Sequence, residues 1–383
     1  MLLTGMIVLA ACELTKEPKP EPETAATYTP VAVASLPGWE QDNLAAALPA
    51  WRQSCDRIAA LPDDRAVGPA AGTAADWRAI CTNLARVPAG DTAALRGFLE
   101  ARFVALHVSG GAGDGGLFTG YFEPIVDAAR ARSPEYNEPI FALPRDHVSV
   151  RLGNFDPSLD GKNIVGRVEN GRLVPYRKRG EIDQGALDES ADVLFWARDP
   201  LDVFILQVQG SGIVAEPDGT RTRIGFAGHN GHNYGSVGRW LIERGELNAG
   251  RAGWEDIRSW LQANPELMRD TLAVNRRFIF FRELDSGGPI GAAGVTLTAG
   301  RSLAVDPSYM PLNAPVWLDA EHPAGAARLQ RLMLAQDTGN AIRGVVRGDF
   351  YWGTGRKALD MAGRMKSRGA YYILVPGSLV PTG

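Results

Sequence analysis

The chain has 383 residues, of which 45% are hydrophobic and 22% are charged, and its formal net charge is −4 at pH 7. This length exceeds that of one ordinary domain, so we expect two domains, each with its own core. The acidic balance, together with the lack of any Lys/Arg-rich run interleaved with aromatic residues, argues against nucleic acid as a partner.

The first predicted element is an apolar stretch over residues 1–11, which is followed directly by Cys12 to give the sequence LAAC. This stretch is shorter than the roughly 20 apolar residues of a transmembrane helix, and its end has the cleavage pattern of a bacterial lipoprotein signal. We therefore predict residues 1–12 as a lipoprotein signal with Cys12 lipidated; an ordinary secretory signal is the alternative. Residues 13–37 begin with a run rich in Pro, Glu, Lys and Thr, and are predicted to be a flexible tether.

The N-terminal third is predicted to be helical. Apolar residues recur at helical spacing around Cys55 and again around Cys81, with Thr73 placed to cap the second helix. Both cysteines fall on the apolar stripes, so both side chains are expected to face one core. In an exported protein a disulfide between them would contribute roughly 3 kcal/mol, and two buried free thiols are the alternative. A third helix is predicted to open at Asp91.

The pattern changes after the glycine-rich break at residues 110–116. Short β-like runs follow, separated by Gly, Pro, Asp and Asn, and they are LFTGYFEP, VLFW and VFILQVQGSGIV. After a helical interlude that includes SVGRWLIERGEL, strand-like runs return from Phe278 to the YYILVP segment near the C-terminus. We therefore expect a mainly β protein with an α-helical N-terminal part.

Three aspartates near the C-terminus stand where an apolar run meets a glycine turn: Asp306, Asp337 and Asp349. A carboxyl group in such a place is accessible yet partly desolvated, which raises its pKa and suits it to proton transfer. Asp337 and Asp349 can meet at one rim of a sheet, where repulsion between them raises one pKa further. The alternative is that aspartate simply favours turns, and this is strongest for Asp306, which precedes Pro307.

Amides and aromatic rings supply candidate sugar contacts. In VFILQVQGSGIV, taken as a strand, alternation puts Gln207 and Gln209 on one face. Amides suit the hydroxyl and N-acetyl groups of a glycan, and a solvated strand face is the alternative interpretation. Tyr121 and Trp352 are candidate stacking faces for sugar rings, and a place in the core is the alternative for both.

Other catalytic classes have little support. There is no GxSxG elbow, no P-loop and no convincing Rossmann fingerprint, and the single QDTGN is not the paired motif of an aspartic protease. His229 and His232 are spaced like a weak metal pair, but no third ligand with suitable spacing follows. We therefore predict neither a metal site nor another cofactor.

Five motifs, in order along the chain, resemble the membrane-bound lytic murein transglycosylase A family: TGYFEP, LQVQGSG, FAGHNGHNYGSVGRWLIERGEL, GPIGAAGVTLTAGRSLAVDPS and QDTGNAIRGVVRGDFYWGTG. The resemblance covers most of the chain between residues 117 and 376. It implies a double-psi β-barrel catalytic domain, formed with the N-terminal helices by residues 38–124 plus 275–380. It also implies an inserted second β-rich, substrate-binding domain, residues 125–274, with a glycan groove between the two.

The resemblance also implies an activity. The family cleaves the β-1,4 bond between N-acetylmuramic acid and N-acetylglucosamine in peptidoglycan, leaving 1,6-anhydromuramic acid. Asp349 matches the catalytic acid/base of the family, and Asp337 and Asp306 match supporting aspartates. One carboxyl group suffices, because the sugar's own C6 hydroxyl replaces the water that a second carboxyl would activate.

The remaining expectations concern contacts and location. The predicted substrate-binding residues are Thr119, Tyr121, Glu123, Gln207, Gln209, Ser211, Asn230, Tyr234, Tyr351 and Trp352. The expected partners are a peptidoglycan glycan strand, the outer membrane, to whose periplasmic face a lipid anchor would hold the protein, and cell-wall synthesis proteins. The alternatives to a lytic transglycosylase are a non-catalytic peptidoglycan-binding double-psi barrel protein and a hydrolytic glycosidase.

Overall fold

The computed structural model of the chain describes residues 25–110, 115–187, 189–248, 253–285 and 287–380. The α-helices in these ranges are α1 (Leu48–Ala59), α2 (Ala74–Leu84), α3 (Thr92–Arg102), α4 (Arg179–Asp183), α5 (Pro200–Gln209), α6 (Val237–Glu243), α7 (Trp254–Ala263), α8 (Met268–Ala273) and α9 (Arg356–Arg364). The β-strands are β1 (Thr27–Val31), β2 (Phe103–Ser109), β3 (Gly116–Glu123), β4 (Ile125–Ala129), β5 (Glu138–Phe141), β6 (Val148–Arg151), β7 (Asn163–Glu169), β8 (Arg172–Pro175), β9 (Val193–Ala197), β10 (Ser211–Ala215), β11 (Arg221–His229), β12 (Ile279–Glu283), β13 (Ser302–Val305), β14 (Pro315–Glu321), β15 (Arg328–Asp337), β16 (Arg347–Thr354) and β17 (Lys366–Pro376).

The three N-terminal helices form where the sequence predicts them. Thr73 caps α2, and its backbone N–H donates to the Asp76 carboxylate in return, which satisfies donors that a helix end leaves open. The Asp91 side chain caps the first turn of α3 in the same manner. A disulfide between Cys55 and Cys81 joins α1 to α2, which confirms the predicted bond.

An eight-stranded sheet runs in the order β1-β2-β17-β14-β15-β13-β16-β3. A further pairing of β17 with β3 closes the last six strands into a ring. Trp317, Phe350 and Tyr371 are fully buried members of the largest apolar cluster, which also contains residues of α1, α2 and α3. The helices and this sheet therefore share one core, and dispersion and hydrophobic burial hold them together.

A six-stranded sheet, in the order β12-β11-β10-β4-β9-β5, forms the second structural unit, and β6, β7 and β8 form a third, smaller sheet. Only Pro124 separates β3 of the first sheet from β4 of the second. Strand β12 lies beyond residue 275, where the first domain was expected to resume, yet it pairs with β11. The six-stranded sheet therefore extends further along the chain than the predicted boundary.

The predicted strand VFILQVQGSGIV is wrong over most of its length, because residues 200–209 form helix α5. Asp199 accepts a hydrogen bond from the first turn, Pro200 occupies that turn, and Gly210 ends the helix at φ 82°. The helix is buried on most sides, so its sequence is apolar almost throughout and lacks the helical period. Only the final segment, which starts at Ser211, is a strand, β10.

The predicted tether over residues 13–37 does not hold for its second half. Thr27–Val31 forms β1, which pairs antiparallel with β2 at one edge of the eight-stranded sheet. The predicted signal, Cys12 and the start of the tether lie outside the described residues. Within the described ranges, none of the helices has the length and hydropathy needed to cross a membrane.

Candidate active site

A groove of about 790 Å³ is lined by residues of both larger sheets. We call the side formed by the eight-stranded sheet the first wall; it contains Asp337 and Asp349. The second wall is formed by the end of α5, by β10 to β12 and by the residues that precede β12. The volume falls within the range of ordinary ligand sites, so the groove is large enough to bind a ligand.

The first wall places its polar groups in one row across four neighbouring strands. Asp349 of β16 pairs with Thr119 of β3 on one side and with Ala304 of β13 on the other. Ala304 in turn pairs with Asp337 of β15. Residues that pair across a sheet point to the same face, so the two carboxyl groups face the groove on either side of one small side chain. Two strand spacings separate Asp349 from Asp337, so their Cα atoms lie about 10 Å apart.

Asp349 is a half-buried carboxyl group whose pKa is raised to about 6, chiefly because burial penalises its charged form. The Thr119 hydroxyl donates a hydrogen bond of 2.6 Å to Oδ1 of Asp349, and itself accepts one of 2.9 Å from Arg347. These two neighbours favour the carboxylate, whereas the charge of Asp337 opposes it. At neutral pH the group therefore exchanges readily between its acid and base forms.

Asp337 is the last residue of β15, and backbone N–H groups hold its carboxyl group in place. Its Oδ1 accepts hydrogen bonds of 2.9 Å from the N–H groups of Ala292 and Thr338. Burial raises the pKa of Asp337, while these two bonds and the nearby Tyr121 hydroxyl work in the opposite direction. The carboxyl group is thus fixed in orientation, and it is solvated by protein groups instead of water.

Asp306 follows β13 and is only 3% exposed. It accepts hydrogen bonds from the backbone N–H groups of Ser308 and Gly344, and Arg343 lies 3.5 Å from its Oδ1. It does not line the groove with the other two aspartates. Instead it anchors the far end of the loop that runs from Asp337 along the groove.

The aromatic residues divide between groove and core. Tyr121 lines the groove, and its ring lies 5.1 Å from that of its strand partner Tyr351, which is 3% exposed. Trp352 points to the opposite face and packs 4.5 Å from Phe350. Gly120 makes room for it, since a Cβ there would lie 2.6 Å from Trp352 Nε1. The structure thus puts Trp352 in the core and not among the groove residues.

Two other predicted substrate contacts are structural in this fold. Glu123 is fully buried, forms a bidentate ion pair with Arg223 of β11, and accepts a hydrogen bond from Thr354. Asn230 is 1% exposed, and its amide bridges four backbone groups: it donates to the carbonyls of Arg177 and Arg276 and accepts from the N–H groups of His232 and Phe278. Their polar atoms are therefore engaged by the protein itself and lie outside the groove.

The second wall does contain four predicted residues: Gln207, Gln209, Ser211 and Tyr234. The Gln209 amide oxygen accepts from the backbone N–H of Phe122, which leaves its NH₂ group as a donor. Gln207 is 5% exposed and accepts from a neighbouring guanidinium. The two glutamines reach the groove from the last turn of a helix and not from the strand face that the sequence suggested.

The sequence analysis missed the arginines of the second wall. Arg179, Arg277 and Arg282 line the groove, as does the half-exposed ring of Phe226. Arg277 belongs to the NRRF segment between α8 and β12, which carries no motif of its own. No pattern in the local sequence separates these arginines from the many others in the chain.

The histidines do not form a metal site. His232 Nε2 lies 2.8 Å from the Tyr176 carbonyl oxygen, and His229 Nδ1 accepts from the N–H of Gly231. Among the described residues, no cluster of three or more His, Cys, Asp or Glu side chains has the arrangement needed to hold a metal ion.

Comparison with known proteins gives the family. A model described as the MltA specific insert domain matches residues 117–282, and one described as the 3D domain matches residues 301–375. Membrane-bound lytic murein transglycosylase A of Vibrio cholerae is 32% identical over 293 residues, which are 74% of this chain and 72% of the relative. The chain belongs to the membrane-bound lytic murein transglycosylase A family. The family member of Escherichia coli K12 is likewise 32% identical, over 68% of this chain and 66% of its own length.

Solved structures of the family share the fold. The membrane-bound lytic murein transglycosylase of Agrobacterium tumefaciens superposes with a TM-score of 0.82 at 31% identity, covering 91% of this chain and 98% of that one. MltA of Neisseria gonorrhoeae gives 0.80 at 33% identity, with 94% and 97% covered. Escherichia coli MltA with bound chitohexaose gives 0.67 at 25% identity, with 91% and 94% covered.

Proposed function

We propose that Asp349 is the single general acid/base of this lytic transglycosylase. The protein cleaves the β-1,4 bond between N-acetylmuramic acid and N-acetylglucosamine in peptidoglycan, with formation of 1,6-anhydromuramic acid. The observation that carries the proposal is the position of Asp349, a half-buried carboxyl group in the groove wall that is held by the Thr119 hydroxyl. Burial there raises its pKa to about 6, which suits a group that acts as acid and then as base near neutral pH.

The first step is protonation of the leaving group. Thr119 occupies Oδ1 of Asp349, so Oδ2 carries the proton of the acid form and delivers it to the glycosidic oxygen. The bond from that oxygen to C1 of N-acetylmuramic acid then breaks, and positive charge develops at C1. Fixed negative charge stabilises such a centre in a site that excludes water, and Asp337, held by two backbone N–H groups, supplies it.

The second step closes the anhydro ring. The C6 hydroxyl oxygen of the same sugar bonds to C1, and the Asp349 carboxylate takes the hydroxyl proton, which restores its acid form. No water enters the product, and the carboxyl group ends in the state in which it began. Thr119 is a positioning residue in this scheme, since its hydrogen bond fixes the carboxyl plane and stabilises the carboxylate between the steps.

The shape of the groove supports a glycan as the ligand. Tyr121 on the first wall and Phe226 on the second offer ring faces, and Gln209 and Ser211 offer hydrogen-bonding groups between them. The relative with bound chitohexaose carries a chain of six amino sugars, which is consistent with an extended oligosaccharide along this groove.

Digestion of purified murein sacculi, followed by mass spectrometry of the soluble products, tests the proposal. The wild-type protein should release muropeptides with anhydro ends, lighter by one water than hydrolysis products. Asp349→Asn should lose this release by about 100-fold or more while keeping its fold. Asp360→Asn, an exposed carboxylate on α9, is the matched control and should retain activity.

Each of the other possible results of this digestion points to a different function or a different catalytic residue. Reducing ends in place of anhydro ends would indicate a hydrolytic glycosidase, and binding to murein without soluble products would indicate a non-catalytic module. Full activity of Asp349→Asn would move the acid/base role to another carboxyl group.

We further propose a domain division for the chain and a location for the protein in the cell. The ring of six strands, with α1 to α3, is the double-psi barrel domain, and residues 125–283 are the inserted domain. The name membrane-bound of the relatives supports anchoring by a lipid on Cys12 at the periplasmic face of the outer membrane. Cell-wall synthesis proteins remain predicted partners. Release of a Cys12→Ala variant from the membrane fraction tests the anchor.

A further inference from the structure

The second wall of the groove carries guanidinium groups that form no ion pair among the described residues, although the charge of Asp183 acts on Arg179. Arg179, Arg277, Arg282 and Arg343 line the groove, and among the described residues only Arg343 takes part in an ion pair, with Asp306. Most other arginines that approach the interior are neutralised in place, as Arg223 is by Glu123. Uncompensated cations in a partly desolvated wall are costly unless a ligand supplies the opposite charge.

Arg277 is the best placed of these groups. It is half-buried, and within the described residues its guanidinium makes one hydrogen bond, 3.3 Å to the His232 carbonyl oxygen, which leaves most of its five N–H donors for a ligand. Burial lowers the pKa of this guanidinium, and no acidic neighbour in the described part of the chain offsets that effect. The guanidinium nevertheless stays charged at neutral pH, since an arginine does not lose its proton in this range.

The surroundings of Arg277 strengthen the positive potential. Arg179 is 3% exposed, donates to the Arg277 carbonyl oxygen at 2.8 Å, and keeps its own charge although burial lowers its pKa to about 10. His229 also lines the groove, and burial, Arg277 and His147 together lower its pKa to about 4. His229 is therefore neutral at pH 7. The positive charge of this cluster comes from the arginines, and the charge of Asp183 offsets it at Arg179 but not at Arg277.

We propose that Arg277, backed by Arg179, forms a carboxylate-binding subsite in the second wall that recognises the acidic groups of murein. This inference rests on the proposed function, and it adds a specificity determinant to it. A planar guanidinium binds a carboxylate through two parallel hydrogen bonds, which gives orientation as well as affinity.

Two parts of murein carry the required chemistry. The lactyl group of N-acetylmuramic acid ends in a carboxylate wherever the stem peptide has been removed, and the stem peptide carries carboxylates of its own where it is present. Chitin oligomers have the same β-1,4 amino-sugar backbone but no carboxylate. The subsite therefore favours murein over a neutral glycan of equal length.

Binding measurements in the Asp349→Asn background test this without turnover. Isothermal titration calorimetry would compare chitohexaose, a peptide-free murein tetrasaccharide and a murein fragment with intact stems. Loss of a charge-assisted hydrogen-bond pair corresponds to about tenfold in affinity. Adding Arg277→Gln should weaken at least one carboxylate-bearing ligand about tenfold more than chitohexaose. The ligand that responds identifies the source of the carboxylate.

The matched control is Arg276→Gln, the same change at the neighbouring exposed position, which should leave all three affinities unchanged. Arg277→Lys keeps the charge and should recover part of the loss. A second approach needs no variant at position 277, because converting the carboxylates of the murein fragment to amides should cost about the same factor.

Equal weakening of all three ligands by Arg277→Gln, or full affinity of the amidated fragment, would overturn the subsite. Failure of the proposed function is a separate result, visible as full activity of Asp349→Asn on murein or as missing anhydro products from the wild-type protein.

Discussion

Replacing Thr119 by Val changes the pKa of Asp349 without touching its carboxyl group. Valine has nearly the shape of threonine and suits a strand, so β3 is retained. Arg347 loses one acceptor but keeps its bonds to the carbonyl oxygens of Leu117 and Gly348. The substitution therefore removes chiefly the 2.6 Å hydrogen bond that favours the carboxylate.

The size of the effect follows from that bond. A hydrogen bond to a charged group contributes roughly 1.5 to 3 kcal/mol, and one pKa unit corresponds to about 1.4 kcal/mol. The pKa of Asp349, now about 6, should rise by about one unit or more. At pH 7 the acid form would grow from about one tenth of the molecules to about one half.

The assay is the pH profile of kcat/KM for release of anhydromuropeptides. Activity requires the acid form, so it falls as the pH rises through the pKa, and Thr119→Val should move this fall to higher pH by about one unit. Its plateau at low pH should drop, because the carboxyl group is less well oriented. Thr222→Val, which removes a 2.9 Å hydroxyl bond to Glu216 away from the groove, is the matched control. If the fall of kcat/KM in Thr119→Val stays at the same pH as in the wild type, or moves to lower pH, Asp349 is not the acid.

Three further predictions concern the free energy of unfolding, measured in urea. The pKa of Asp349 is raised from 3.8 to about 6, so its contribution to stability is fully present below pH 3.8 and is lost as the pH rises through 6. At pH 8 the free energy of unfolding of Asp349→Asn should therefore be higher than that of the wild type by up to about 3 kcal/mol. Equal free energies of unfolding at this pH would count against the raised pKa. Replacing both Cys55 and Cys81 by Ser should cost about 3 kcal/mol, since the bond closes a loop with a sequence separation of 26; a cost near zero would contradict the entropic argument. Glu123→Gln breaks a buried ion pair and should cost about 3 kcal/mol, whereas Glu283→Gln, in an exposed pair, should cost about 1 kcal/mol or less; similar costs would show that burial does not matter here.

Elements with strong local patterns were predictable from the sequence. The capping pattern at Thr73 and the alternating run that became β3 depend on neighbours within a few residues. Helix α5 was mispredicted because burial on most sides removes the polar face that marks a helix. The boundaries of that helix were still present in the sequence, as Asp199 with Pro200 at one end and Gly210 at the other.

The site was predictable in part. The position of Asp337 and Asp349 between an apolar run and a turn indicated both residues. The small Ala304 that lies between them could not be predicted, because it comes there only when strands far apart in sequence pair in register. The sequence predicts Glu123 and Trp352 as ligand contacts, because sequence alone does not distinguish polar or aromatic groups used in packing from those used in binding.

The single residue between β3 and β4 ties the eight-stranded sheet directly to the six-stranded one. Pro124 is too short a link to act as a hinge, and its carbonyl oxygen accepts a 2.8 Å hydrogen bond from Ile213 of β10. The Glu123 ion pair beside it joins the same two sheets. The backbone link, the hydrogen bond and the ion pair therefore act together as a clamp that limits how far the two sheets can separate at this point.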